Sequence, residues 1–254
     1  MDIKLHHGDC LEVMKQIQSE SIDMILCDLP YGTTACKWDV IIPLDKLWGQ
    51  YERIIKPKGV IVLTASQPFT SVLVCSNLPL FKYTWIWEKS RPGGFVNAKL
   101  KPLKAFEDIC VFSKGKTSNG NTGNMNYYPQ GLIKSDKLWK RPKKYNGSEG
   151  VNFSRPSHQT ERVIEFENYP KSIIKCKNHN SNVLHPTEKP IELMEYLIKT
   201  YTKESETVLD NCMGSGSTGL ACINTKRKFI GIEKKEDFFN NAKIRIYEHA
   251  GNGN

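Results

Sequence analysis

The sequence holds no uninterrupted apolar run of about 18 residues, the minimum for a membrane-spanning helix, so no membrane partner is expected. Its first residues, MDIKLHHGDC, carry an acid at position 2 and no apolar core, which does not fit a secretory signal. The eight cysteines, at 10, 27, 36, 75, 110, 176, 212 and 222, form no C-x-x-C pair and no zinc-like spacing. Several sit inside apolar runs, so reduced thiols in a cytoplasmic protein are expected, and no metal. The six histidines show no ligand spacing either, and no internal repeat or heptad pattern is present. Acids are in short supply: 27 Asp and Glu face 36 Lys and Arg, a formal charge of +9 that points to a polyanionic partner. With 39% hydrophobic and 25% charged residues, the 254-residue chain has the composition of a globular protein with a substantial core.

The positive charge is concentrated. Residues 114–182 hold 13 Lys and Arg against 5 Asp and Glu, a net +8, with seven aromatics interleaved. A merely solvated segment carries fewer rings, so contact with nucleic acid is the preferred reading. This stretch is rich in Asn, Gly, Ser and Pro and reads as an irregular insertion. On either side, strands and helices alternate. SIDMILCDLP, VIVLTAS, YTWIWEKS and EDICVFSK read as strands, and residues 44–56 as a helix. After the insertion come a helix with Ile191, Met194, Leu197, Ile198 and Tyr201 on one face, a strand ending at Asp210, a glycine turn and helix, a strand ending at Glu233, and a last helix. Continuous apolar runs joined by helices call for a parallel sheet covered on both faces.

The segment VLDNCMGSGSTGLA contains a literal G-x-G-x-x-G at Gly214, Gly216 and Gly219, with Glu233 closing the next strand. That pattern fits a dinucleotide site, and a nicotinamide oxidoreductase is one reading. Two features favour another cofactor. Only 21 residues follow Glu233, so the remaining strands must come from the start of the chain, in permuted order. Asp210, directly before the glycines, would repel a pyrophosphate but suits an ammonium. S-adenosylmethionine has an ammonium, a ribose diol and no phosphate.

These segments resemble the S-adenosylmethionine-dependent amino-methyltransferases of DNA. With the Asp-Pro-Pro-Tyr-like motif first and the glycine motif last, the order is similar to the beta group of that family. DLPYGTTACKWD resembles the catalytic motif, HPTEKP the segment entering the helix beside the cofactor, and DNCMGSGSTGLA the cofactor loop. HHGDCLEVM and GIEKKEDFFNNAKIRI resemble segments flanking the adenine and ribose. The resemblance implies an α/β, Rossmann-like, doubly wound methyltransferase sheet. Residues 1–113 would form its catalytic half and 183–254 its cofactor half, with 114–182 an inserted target-recognition region.

It further implies that Asp28, Leu29, Pro30 and Tyr31 are catalytic. Asp28 and the Leu29 carbonyl would accept the two N–H groups of the target amine, Pro30 would hold the turn, and Tyr31 would stack on a flipped base. Cofactor contacts fall to Asp9, Asp28, Lys189, Asp210, Cys212, Met213, Gly214, Ser215, Gly216, Ser217, Thr218 and Glu233, with Lys189 directed at the cofactor carboxylate and Thr187 as a helix cap. Lys137, Lys140, Arg141, Lys143 and Lys144 would contact DNA phosphates. Three departures from the family pattern stand out: Leu29 where proline is usual, Cys212 where an aromatic is common, and Phe106-Glu107 in place of His-Glu, to which no duty is assigned. The expected activity is adenine-N6 methylation of DNA by a bacterial or bacteriophage-type protein, with N4-cytosine methylation as the alternative within the class. A cognate restriction endonuclease and a homodimeric assembly are compatible with this reading.

Overall fold

The computed structural model describes residues 2–33, 36, 39–140, 161–177 and 188–251. In chain order its elements are β1 (Ile3–His7), α1 (Cys10–Met14), β2 (Ile22–Asp28), α2 (Leu44–Ile54), β3 (Ile55–Ala65), α3 (Phe69–Ser76), β4 (Phe81–Gly93), β5 (Lys104–Phe112), β6 (Ile133–Lys140), β7 (Glu161–Glu167), β8 (Ile173–Cys176), α4 (Ile191–Tyr201), β9 (Thr207–Asp210), α5 (Ser217–Asn224), β10 (Lys228–Glu233) and α6 (Glu236–Gly251). Eight strands make one sheet in the order β1-β10-β9-β2-β3-β5-β4-β8. The strands closing the chain, β9 and β10, thus lie between β1 and β2, which open it. This is the permuted order that the short tail after Glu233 demanded.

Successive side chains of a strand point to opposite faces, and here both faces are apolar. On one face Met24, Leu26, Val60 and Val62 pack with Leu197, Tyr201, Leu220 and Ile246 from α4, α5 and α6. On the other, Ile25, Cys27, Ile61 and Leu63 pack with Met14, Tyr51 and Leu73 from α1, α2 and α3. The unbroken apolar runs of β2 and β3 are the sequence trace of this double burial.

Three details depart from the expected pattern. β5 pairs antiparallel with both β3 and β4, so the sheet is mixed. Strand direction leaves no mark on local apolar spacing, and the short connection from β4 to β5 favours an antiparallel return. The strand β3 begins at Ile55, two residues inside the expected helix, because Ile22 pairs with Ile55. The basic stretch is not wholly irregular: β6 and β7 pair as an antiparallel hairpin, and β8 joins the large sheet beside β4. The chain divides into two units, Met1–Tyr128 with Ser172–Asn254, and Pro129–Lys171. The second is narrower than the expected 114–182.

Gly219 shows how tightly α5 is packed: a Cβ there would lie 2.6 Å from Ile246 Cδ1 and 2.9 Å from Phe229 Cε1. Overpacking costs about 1–3 kcal/mol and outweighs the roughly 1 kcal/mol that alanine gains over glycine in a helix. Gly219→Ala is therefore expected to lower the urea midpoint with an unchanged m-value. An unchanged midpoint would mean that Ile246 yields without cost.

Candidate functional site

From β9 the chain passes through α5 to β10 on one side. From β2 it passes through α2 to β3 on the other. The carboxyl ends of β9 and β2 therefore flank the point where the sheet's winding reverses, the place where open α/β sheets bind ligands. A cavity of about 740 Å³ lies there. Asp9, the whole Asp28–Tyr31 run, Lys189, Asp210, Cys212, Met213, Gly214, Ser215, Ser217, Thr218 and Glu233 all line it. Of the expected cofactor residues, Gly216 alone is outside the lining. It caps α5 at φ +84°, and its missing Cβ would lie 2.9 Å from Ile246, so glycine is required there by the fold.

Asp28 ends β2, in register with Thr64 of β3. Its Oδ1 accepts the Tyr31 hydroxyl at 2.7 Å and also the Thr64 hydroxyl. Its Oδ2 accepts Lys189 Nζ at 2.6 Å. The Tyr31 ring stacks on Phe69 with centroids 5.3 Å apart and planes at 20°, and Lys189 Nζ lies 5.9 Å from its centroid. The loop beyond is closed by Asp39, whose carboxylate accepts the Gly32 and Thr33 amides at 2.8 and 2.9 Å. That is the physical use of the aspartate ending DLPYGTTACKWD; residues 34, 35, 37 and 38 of this segment lie outside the described residues. Leu29 is 4% exposed and belongs to the apolar cluster on the α1–α3 face. Burial thus anchors the turn at the position where the family pattern has its first proline.

Glu107, to which the sequence assigned nothing, completes the cluster. It is buried at the start of the apolar part of β5, pairs through Oε1 with Lys89, and places Oε2 3.3 Å from Lys189 Nζ. That Oε2 makes no hydrogen bond among the described residues, so its contact with Lys189 is an ion pair without hydrogen-bond geometry. Lys189 therefore bridges two carboxylates. Burial pulls its ammonium down, but Asp28 and Glu107 outweigh that and raise it above the usual lysine value. Burial likewise pushes the Asp28 carboxyl up, yet the Lys189 charge and the three hydrogen bonds win and hold it below the ordinary range. Tyr31, raised well above the usual phenol value first by burial and then by Asp28, stays a donor. Glu107 had a signal, an acid pair heading an apolar strand. Thr64 had none.

On the β9 side, Asp210 Oδ2 accepts the Thr218 hydroxyl at 2.6 Å and Oδ1 the Cys212 amide at 3.1 Å. Burial nevertheless pushes its carboxyl up to about 6, so a cation beside it would be strongly favoured. Both Glu233 oxygens are fixed by backbone amides, from Gly214 at 3.0 Å and Lys235 at 2.8 Å, leaving acceptor capacity for hydroxyls. Asp9 caps α1 through the Leu11 amide at 3.0 Å, and Lys234, 3.0 Å from its Oδ2, lowers its pKa. Ser217 donates to Glu188 at 2.8 Å, and Arg245 pairs with the same oxygen at 2.7 Å. Cys10, Cys27 and Cys212 add a wall of thiols, with Cys27 pushed up to about 12 by burial and so neutral. A buried carboxylate at Asp210 and a backbone-fixed one at Glu233 are groups that suit the ammonium and the ribose diol of S-adenosylmethionine. Lys189, expected at the cofactor carboxylate, is instead placed on Asp28 and Glu107.

Of the expected DNA contacts, Lys137 is on β6 and pairs with Glu167 at 2.9 Å within the hairpin. Lys140 ends that strand, while Arg141, Lys143 and Lys144, like Thr187, lie outside the described residues. Among the described residues no group of three His, Cys, Asp or Glu could hold a metal ion, and no helix is long and apolar enough to cross a membrane.

A family model described as DNA methylase, covering N6 and N4 methyltransferases, matches residues 22–244. The chain is 28% identical to the DNA adenine methyltransferase YhdJ of Escherichia coli K12, over 94% of this chain and 81% of that protein. It is 24% identical to the Type II methyltransferase M1.MboII of Moraxella bovis, over 95% of each. The crystal structure of the M1.HpyAVI–SAM complex superimposes with a TM-score of 0.63 at 25% identity, covering 96% of this chain and 99% of that one. PvuII DNA methyltransferase, cytosine-N4-specific, gives a TM-score of 0.66 at 17% identity over 100% of this chain and 94% of that one, a likeness of fold. The dinucleotide reading of the glycine pattern gives way to these matches. The chain belongs to the S-adenosylmethionine-dependent N6-adenine/N4-cytosine DNA methyltransferase family.

Proposed function

We propose that this DNA methyltransferase acts on the exocyclic N6 amine of adenine. The observation carrying this reading is Asp28, held ionised at the mouth of a strand end, with Lys189, Tyr31 and Thr64 fixing its direction. A carboxylate offers about four lone-pair positions, and three donors occupy them here, so one remains for an incoming N–H. An exocyclic amine is a poor nucleophile because its lone pair is delocalised into the ring. Asp28 and the Leu29 carbonyl, by accepting its two hydrogens, draw the nitrogen toward tetrahedral geometry and localise that pair. S-adenosylmethionine supplies the electrophilic methyl group. Tyr31, backed by Phe69, gives the flipped base a stacking surface. Positioning carries much of the acceleration, and it is set by groups already paired before substrate arrives.

Adenine is favoured over cytosine by the aspartate opening the motif and by the 28%-identical relative, a DNA adenine methyltransferase. We further assign the basic segment to target recognition, with Lys137, Lys140, Arg141, Lys143 and Lys144 on phosphates, and the protein to a restriction-modification setting in the cytoplasm.

Asp28→Ala is expected to retain cofactor binding by calorimetry and lose methyl transfer by about two to three orders of magnitude, the scale of one preorganised hydrogen-bonding group lost from a site. Transfer at the wild-type rate would remove Asp28 from the mechanism. Methylating DNA of mixed sequence and identifying the modified nucleoside by mass spectrometry is expected to give N6-methyladenine. N4-methylcytosine as the sole product would overturn the adenine assignment.

A further inference from the structure

The connection between β4 and β5 presents a feature the site does not use. Gly94, at φ +90°, turns the chain into a single tight turn over Phe95–Asn97. Four backbone bonds close it, from the Asn97, Ala98, Leu100 and Lys101 amides. Yet the residues it presents are apolar and bare: Phe95 is 67%, Val96 99% and Leu100 85% exposed. Isolated exposed apolar residues are ordinary, but three within six residues on an ordered tip mark a contact surface.

Charge identifies the partner. From Lys89 to Lys104 the sequence carries five cations, Lys89, Arg91, Lys99, Lys101 and Lys104, and no acid. An apolar tip in a wholly basic collar suits a polyanion with a stacked apolar interior. Position agrees: Gly93 pairs with Lys104, Lys104 lines the cavity, and Glu107 of the Lys189 cluster is three residues further along β5. At about 3.4 Å per residue, Lys104 at the base of the tip lies roughly 10 Å along β5 from Glu107.

Taking a base out of a duplex leaves a gap in the stack, and proteins that distort DNA fill such gaps with apolar side chains. We propose that the Phe95–Leu100 tip is a wedge that enters duplex DNA at the target step and occupies the space vacated by the flipped base, with Lys99 and Lys101 on the flanking phosphates. It rests on duplex DNA as substrate and is independent of whether adenine or cytosine is methylated.

The test compares wild type with the Phe95→Ala/Val96→Ala double variant in single-turnover methylation at saturating cofactor. One duplex carries the protein's own mapped methylation site fully paired. The other has an abasic position opposite the target base, so the base is already unpaired and the gap costs less to open. The double variant is expected to lose about tenfold or more on the paired duplex and no more than about twofold on the other, because the wedge offsets unstacking only where the target base is still paired. Equal losses on both duplexes, or no loss on the paired one, would overturn the wedge. A wild-type protein that methylates neither duplex would also overturn the wedge, which needs duplex substrate. Failure to map any methylated site in DNA would contradict the methyltransferase reading itself, a separate outcome.

Discussion

The contact between Lys189 and Asp28 joins residues 161 positions apart in sequence and makes one site of two halves of the chain. Asp28 comes from β2, near the beginning, and Lys189 from the segment leading into α4, after the basic region. Lys189 is buried and Asp28 is about two-thirds so, which is costly unless each finds an opposite charge and further hydrogen bonds. Asp28 finds Tyr31 and Thr64 besides Lys189, and Lys189 finds Glu107 besides Asp28. Removing any one leaves a half-satisfied charge in the site, so the Asp28–Tyr31 run is held in register by residues far outside it.

The permuted order has a physical consequence. Because β9 lies between β10 and β2, Asp210 before the glycine loop and Asp28 at the head of the Asp28–Tyr31 run emerge from neighbouring strands. A methyl donor anchored by its ammonium at Asp210 and its ribose at Glu233 would then have its sulfonium facing Asp28. An acid closing the strand after the glycines suits a ribose diol in either cofactor, so Glu233 does not separate them. The buried carboxylate of Asp210, directly before the glycine loop, does, because it suits an ammonium and disfavours a pyrophosphate.

Much of this was legible in sequence because it is written locally. An apolar run punctuated by Asp28 or Asp210 announces a buried strand ending at a site, and Gly214 and Gly216 announce the turn after it. What the sequence hid is non-local. Thr64 and Glu107 reach Lys189 and Asp28 through strand pairing, and a threonine or an acid in a strand carries no mark of the neighbour it will meet. The hairpin of β6 and β7 leaves little mark in the sequence because its described apolar side chains Ile133, Leu138 and Val163 remain 52–63% exposed, so no alternation of buried apolar residues betrays the strands. Leu29 was seen as a break in the motif, whereas its side chain is a core anchor that only the packing of α1, α2 and α3 could reveal.

The central claim is that Lys189 holds Asp28 ionised as the acceptor for the target amine. The direct measurement is the pH dependence of single-turnover methyl transfer at saturating cofactor, in wild type and in Lys189→Met. In wild type the Asp28 carboxyl titrates below the ordinary range, so the rate should hold down to low pH. Without the Lys189 charge, burial is the dominant influence left, and the carboxyl must rise. The account predicts that the acid limb of the profile moves to higher pH in the variant. A variant whose rate falls while its acid limb stays in place would contradict it.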